Sequence, residues 1–181
     1  MRVDTGVEEG DSITPFYDPM IAKLIVWDVD RDAALRRMSQ ALARAERQKT
    51  LVAVCYLDLD GFKPINDVLG HEEGDEALLE VARRLRKCTR AGDIAARLGG
   101  DEFALLAPVL SPQGIERFGA RIVERITAEA FMLDGATTRI GVSVGAAAMG
   151  EGDAIGETLR RADAALYGAK TRGGGRVRMA A

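Results

Sequence analysis

Leu51 to Leu59 most narrows the folds open to this chain, because the run is apolar throughout except for Asp58. Such a run, without polar alternation, reads as a strand buried on both faces, at the middle of a sheet covered on each side. The rest of the chain must supply strands beside it and helices above and below it. Downstream, Gly61 to Leu69 reads as a helix, with Phe62, Ile65 and Leu69 on one side and Lys63, Asn66 and Asp67 on the other. A loop over Gly70 to Gly74 follows, and Asp75 is the expected N-cap of a helix on which Leu78, Ala82 and Leu85 share a face, stopping before Gly92. Ile94 to Leu98, Gly99-Gly100 and Phe103 to Ala107 read as a β-hairpin, with the paired glycines supplying a turn that needs positive φ. Ser111-Pro112 caps a helix to about Ala130, Thr138 to Ala148 is a strand, Ile155 to Lys170 a helix, and Arg176 to Met179 a short closing strand after Gly173-Gly174-Gly175.

Upstream, Arg2 to Val7, Ser12 to Phe16 and Ile21 to Trp27 read as extended segments. Ala34, Leu35, Met38, Ala41, Leu42 and Ala45 recur at helical spacing after the carboxylates of Asp28 to Asp32. From residue 43 the order is helix, strand, two helices, hairpin, helix, strand, helix, strand. That order predicts an α/β or α+β fold with one central sheet flanked by helices.

With 181 residues, 47% hydrophobic and 29% charged, the chain has the composition of one globular domain with an appendage. No apolar run approaches the roughly 20 residues of a membrane span. Met1-Arg2-Val3-Asp4 lacks the order of a secretory signal, so a cytoplasmic location is expected, and Cys55 and Cys88 read as buried thiols. A net charge of −3 speaks against general nucleic-acid binding.

Chemistry concentrates at the hairpin and at the end of the long strand. Asp101 and Glu102 follow the paired glycines, whose missing Cβ atoms let a phosphate approach the backbone. Asp58 and Asp60, two apart in an extended segment, project to one side. If the strand lies beside the hairpin, Asp58, Asp101 and Glu102 converge into an oxygen-rich site suited to Mg²⁺, which binds through one or two carboxylates plus substrate phosphates. The competing reading of Asp58 and Asp60 is capping of the next helix. Lys63, with the amides of its helix start, offers an anion site. Asn66 and Asp75 carry the donor and acceptor set that a guanine edge requires. His71, the only histidine, either touches a ligand or braces its loop. On local chemistry alone, Asn66 and Asp75 serve equally as a solvated helix residue and a cap.

Asp58-Leu-Asp-Gly-Phe-Lys-Pro-Ile-Asn66-Asp-Val-Leu-Gly-His71-Glu-Glu-Gly-Asp75, Arg97-Leu-Gly-Gly-Asp-Glu-Phe103 and Ala162-Asp-Ala-Ala-Leu-Tyr-Gly-Ala-Lys170 together closely resemble the GGDEF domain of diguanylate cyclases, over about residues 43 to 178. The resemblance implies a mainly antiparallel sheet like that of nucleotidyl cyclases and palm-type polymerases. It also implies condensation of two GTP into cyclic di-GMP with release of two pyrophosphates, by a homodimer. Asp58, the Leu59 carbonyl, Asp101 and Glu102 would hold Mg²⁺ or Mn²⁺. Phe62, Lys63, Asn66, His71, Asp75, Gly99, Gly100 and Lys170 would bind GTP. Asp101 with Glu102, aided by Lys63, would carry the catalysis. Arg90-Ala91-Gly92-Asp93 resembles the family's RxxD site, where the product inhibits; locally it reads equally as a helix C-terminus.

The chain departs from the family in two places. Gly173-Gly174-Gly175 stands where the family carries Gly-Arg-Asn, whose Arg assists phosphate binding, and the family's entry segment before the first helix is absent. Instead Arg2 to Gly6, Gly10 to Pro15, Tyr17 to Trp27 and Asp30 to Leu35 resemble the C-terminal subdomain of biotin carboxylases. The expected division is therefore a fragment over residues 1–42 and a cyclase-like domain over 43–181. The alternative activity is a degenerate module that binds GTP or cyclic di-GMP as a receptor; an inert fusion fragment is the third.

Overall fold

The computed structural model describes residues 25–26, 47, 50–90 and 92–180. Its elements are β1 (Ile25–Val26), β2 (Leu51–Asp60), α1 (Phe62–Leu69), α2 (His71–Cys88), β3 (Ile94–Gly99), β4 (Glu102–Val109), α3 (Pro112–Thr127), β5 (Phe131–Leu133), β6 (Ala136–Thr138), β7 (Gly141–Met149), α4 (Ile155–Lys170) and β8 (Val177–Met179). Six strands form one sheet in the order β1-β3-β4-β2-β7-β8, antiparallel except where β8 joins β7. The α+β fold with a mainly antiparallel sheet is as the sequence predicts.

β2 is the buried interior strand that its apolar run demands. Ala53, Cys55, Leu57 and Leu59 face one cluster with Phe103, Leu105 and Val144, packed under Leu78, Val81 and Leu85 of α2 and Ile115 and Ile122 of α3. Val52, Val54 and Tyr56 face the other way, against Ala104, Leu106, Ala147 and the Ala162 and Leu166 side chains of α4. α4 lies hard on β7: a Cβ on Gly145 would come within 2.0 Å of the Ala162 carbonyl and 2.2 Å of the Leu166 amide. That close approach sets the height of α4 over β2, and so the position of Lys170 at its end.

Several boundaries differ from expectation. α2 starts at His71, not after Asp75, because Gly70 (φ 90°) alone breaks the chain after α1. Glu72 and Glu73 then occupy the first turn, where carboxylates suit the helix dipole. Asp75 therefore lies inside the helix and caps nothing. In the β3–β4 hairpin Gly99 pairs with Glu102, so the turn is Gly100-Asp101, and of the two glycines only Gly100 (φ 50°) takes positive φ. A small separate hairpin, β5–β6, fills the span between α3 and β7, turning at Asp134 (φ 47°) and Gly135 (φ 70°). Asp-Gly is the residue pair that a tight primed turn prefers. Ser111 caps α3 as predicted, its Oγ accepting from the Gly114 amide at 3.3 Å. Of the upstream extended segments, Ile21 to Trp27 contributes β1 on the outer edge of β3; the runs Arg2 to Val7 and Ser12 to Phe16 lie outside the described residues, as does the whole of the expected Ala34 to Ala45 helix.

Candidate active site

The alternation of β2 that puts Val52, Val54 and Tyr56 under α4 continues to Asp58 and Asp60 where the helix ends. Lys170, the last residue of α4, reaches back so that its Nζ lies 2.5 Å from Asp58 Oδ1. Asp58 sits opposite Glu102 on β4 and opposite Ser143 on β7. The hairpin tip is tied to β2 by a bond from the Leu59 amide to the Asp101 carbonyl at 3.3 Å, and Arg97 Nε donates to the Gly100 carbonyl at 2.9 Å. Asp58, Asp101 and Glu102 thus meet at one end of the sheet. At Gly99 and Gly100 no other atom lies within 4 Å of where a Cβ would be, which leaves the turn open to a ligand.

Charge in this centre is unbalanced. Burial pushes the Asp58 carboxyl up, and Asp101 and Asp60 add to it, while Lys170 opposes by hydrogen bond and charge. Burial also raises Glu102, reinforced by Asp58, Asp101 and Asp163 and opposed by a hydrogen bond from Tyr56. A centre of carboxylates held above their ordinary range is one that a cation would relieve. Among the described residues no three Asp, Glu, His or Cys side chains stand close enough to enclose an ion by themselves. The donors present are oxygens, which fit Mg²⁺ or Mn²⁺ sharing its shell between one or two of these carboxylates, the Leu59 carbonyl and ligand phosphates.

Asp60 takes another role. Ser143 Oγ donates to both its oxygens at 2.9 Å, and the Gly175 amide donates to Oδ2 at 2.9 Å. It straps the Gly173–Gly175 loop to the sheet. Neither Asp58 nor Asp60 caps α1, whose N-cap is Gly61 in a left-handed conformation without a side-chain bond.

The remaining predicted residues fall into two groups around the centre. Lys63 is exposed in the first turn of α1, immediately beyond β2, while the Phe62 side chain is buried in the core. Asn66 Oδ1 lies 1.8 Å from where a Cβ on Gly74 would stand, so its amide is seated against the α2 backbone next to Asp75. Asp75 lines a cavity of about 290 Å³ with Leu78, Leu79, Ala82, Arg97 and Phe103; Asn66 and the exposed His71 are not among its walls. Farther off, Asp93 Oδ2 accepts from the Arg90 amide at 2.9 Å, and both residues line a second cavity of about 360 Å³ with Phe118, Arg117 and Arg121. Sequence reasoning missed four residues: Tyr56 and Asp163 at the acidic centre, and Arg117 and Arg121 at the second cavity. The spacing of those arginines, i and i+4 on one helix, was a usable signal.

The model of the family described as "Diguanylate cyclase, GGDEF domain" matches residues 29–176, and that of the biotin carboxylase C-terminal domain matches residues 1–51. The chain is 42% identical over 138 residues to the bifunctional diguanylate cyclase/cyclic di-GMP phosphodiesterase MucR of Pseudomonas aeruginosa, a match covering 76% of this chain and 20% of that protein. It is 40% identical over 146 residues to the diguanylate cyclase TpbB of Pseudomonas aeruginosa, covering 80% of this chain and 34% of that one. The chain thus spans about a fifth to a third of the length of these curated relatives. Among solved structures, the GGDEF domain of TpbB from Pseudomonas aeruginosa superposes with a TM-score of 0.74 at 38% identity, over 83% of this chain and 95% of that one. The GGDEF domain of DgcB from Caulobacter crescentus, in complex with c-di-GMP, gives 0.73 at 31%, over 83% and 90%. Among the described residues no helix is long and apolar enough to cross a membrane.

Proposed function

The chain belongs to the GGDEF family of diguanylate cyclases, and from that premise we propose that it condenses two GTP into cyclic di-GMP as a homodimer. The observation that carries the reading is the meeting of Asp58, Asp101 and Glu102 at one sheet end, with Lys170 bonded to Asp58. In each half-reaction the 3′-oxygen of one GTP bonds to the α-phosphorus of the other, the bond to the β-phosphate bridge breaks, and pyrophosphate leaves. Asp101 with Glu102 accepts the 3′-hydroxyl proton; the raised affinity of Glu102 for a proton suits it to that task. Lys63, the α1 amides and Lys170 hold the phosphates and offset charge that builds on them. Asp75 receives the guanine donors, Asn66 and His71 contact the nucleoside from outside the walls of the Asp75 cavity, and the open Gly99-Gly100 backbone lets the triphosphate approach. Asp58, the Leu59 carbonyl, Asp101 and Glu102 would hold Mg²⁺ or Mn²⁺, which when bound neutralises phosphoryl charge. Each domain holds one GTP, so two must face each other.

The Arg90 and Asp93 cavity is read as the product-inhibition site, a reading supported by the Arg117 and Arg121 cations on its wall. The upstream fragment, assigned to residues 1–42, packs on the cyclase domain, a reading supported by β1 on the β3 edge. Deleting residues 1–30 should lower stability or change oligomeric state; no change in either rejects that role. The receptor reading is favoured by Gly174 in place of the family's arginine and by the upstream segment that stands where the family's entry segment is expected.

Incubation with Mg²⁺ and GTP over graded protein concentrations, with chromatography of cyclic di-GMP and pyrophosphate, tests the proposal. Specific activity that rises with concentration and disappears in Asp101→Ala is the expected result. GTP or cyclic di-GMP binding without any product would replace the cyclase reading with the receptor.

A further inference from the structure

Behind the acidic centre stands a buried hydroxyl that the chemistry above does not use. Tyr56 is 2% exposed and packs in the cluster under α4 with Ala104 and Leu166. Tyr56 pairs with Ala104 across the β2–β4 ladder and Asp58 pairs with Glu102, so Glu102 lies diagonally opposite Tyr56 on the same face. An aromatic side chain spans that diagonal. The Tyr56 hydroxyl donates to the Glu102 carboxylate, with Asp163 of α4 and Asp58 close by. A phenylalanine would fill this place in the core without bringing a polar atom that needs a partner. The hydroxyl is therefore not explained by packing.

We propose that Tyr56 is a positioning residue of the acidic centre: its hydroxyl occupies one oxygen of Glu102 and turns the other toward the Asp58 and Asp101 side, where the divalent cation binds. The terminal torsion of a glutamate is broad and soft, so without a fixed partner the second oxygen samples many directions. With one oxygen held from inside the core, the other is presented in a single direction before ligand arrives. Hydrogen-bonding partners behind a metal ligand commonly govern affinity or activity by about 10–100-fold. The inference rests on the reading of this end of the sheet as a cation-dependent GTP site.

The test is Mn²⁺ binding, followed by calorimetry and by the paramagnetic signal of free Mn²⁺, in the full chain with a GTP analogue that cannot be cleaved between the α and β phosphates. Tyr56→Phe should weaken Mn²⁺ binding about tenfold while leaving metal-free analogue binding and thermal melting close to wild type. In turnover it should lower kcat with KM for GTP little changed. The cycle with Glu102→Ala separates positioning from packing: in that background Tyr56→Phe should have no further effect on Mn²⁺. Mn²⁺ affinity within twofold of wild type, an equal loss in the Glu102→Ala background, or no Mn²⁺ binding by the wild type each overturns the inference. Failure of the cyclase reading registers separately, as absence of cyclic di-GMP from wild type while the Mn²⁺ comparison still reads out.

Discussion

Arg84 and Glu102 are charged side chains drawn out of water on opposite sides of the sheet, and they are accommodated in opposite ways. Arg84, on α2, is 6% exposed and is bonded through all three of its nitrogens. Nη1 donates to the Ile126 and Glu129 carbonyls at 2.7 and 2.5 Å, Nη2 to the Ala130 carbonyl at 3.0 Å, and Nε to Glu80 at 2.9 Å. Its guanidinium also lies 3.9 Å from the centroid of the Phe131 ring. It thereby satisfies the Ile126 carbonyl in the last turn of α3 and the Glu129 and Ala130 carbonyls of the chain just after it. Glu102 accepts from Tyr56 and, among the described residues, has three acidic neighbours that work against its charge. A charge with a bonded partner at each nitrogen serves the fold; one held among like charges is poised for something the chain does not itself contain.

The largest effect expected from this contrast is at Arg84. Arg84→Ala strands three carbonyls and Glu80, and should lose about 3–5 kcal/mol of stability, as breaking a buried charged network does. Urea unfolding measures it, and a loss below about 1 kcal/mol would mean that water replaces the guanidinium freely and that the two centres differ less than described. Asp60 is the intermediate case, a carboxylate beside the acidic centre yet satisfied in the manner of Arg84. Asp60→Ala removes the acceptor of Ser143 and Gly175 and should cost about 1–3 kcal/mol. Amide exchange at Gly175 should accelerate with it.

Glu102→Gln should move the other way. The folded-state affinity of Glu102 for a proton is raised above its ordinary value of 4.5. Its ionised form therefore opposes folding at neutral pH, and that opposition is relieved as pH falls through the raised folded value toward 4.5. The neutral variant should melt a few degrees higher than wild type at pH 7 and lose this advantage below that window, while losing turnover. A variant that melts lower at pH 7 would put Glu102 with Arg84 among the structural charges.

How much of this was legible in the sequence follows the same division. The strand over Leu51 to Leu59, the helix from Ile155 to Lys170 and the closing strand follow from local pattern, and all three form. Asp134-Gly135 is a turn signal in the sequence, but the three-residue strands on either side of it are too short to show an alternating pattern. The loop expected over Gly70 to Gly74 shrinks to Gly70 alone, because Gly74 lies inside α2 beneath Asn66. The Tyr56 and Asp163 contributions depend on the β2–β4 register and on the depth at which α4 rests on Gly145, neither of which a single sequence states. Arg84 likewise reads as a helix-surface arginine until the C-terminal end of α3 is brought over it.

The smallest expected change in stability comes from placing an arginine at Gly174, where the resemblance leads one to expect it. Gly174 has φ 65°, and a Cβ there would stand 3.1–3.2 Å from the Asp60 carboxylate. Gly174→Arg forces a side chain into the left-handed region at about 1–2 kcal/mol, partly offset by its charge beside Asp60. The Arg176 side chain already folds back, its Nε donating to the Gly174 carbonyl at 3.0 Å, so the loop has one guanidinium bonded to its own backbone. If the acidic centre lacks a cation for phosphate, the new arginine should lower KM for GTP about tenfold, the worth of one charge-assisted bond, despite the slightly lower melting point. An unchanged KM would mean that Lys63 and Lys170 already meet the phosphate charge, and the imbalance around Glu102 would then be met by the divalent cation alone.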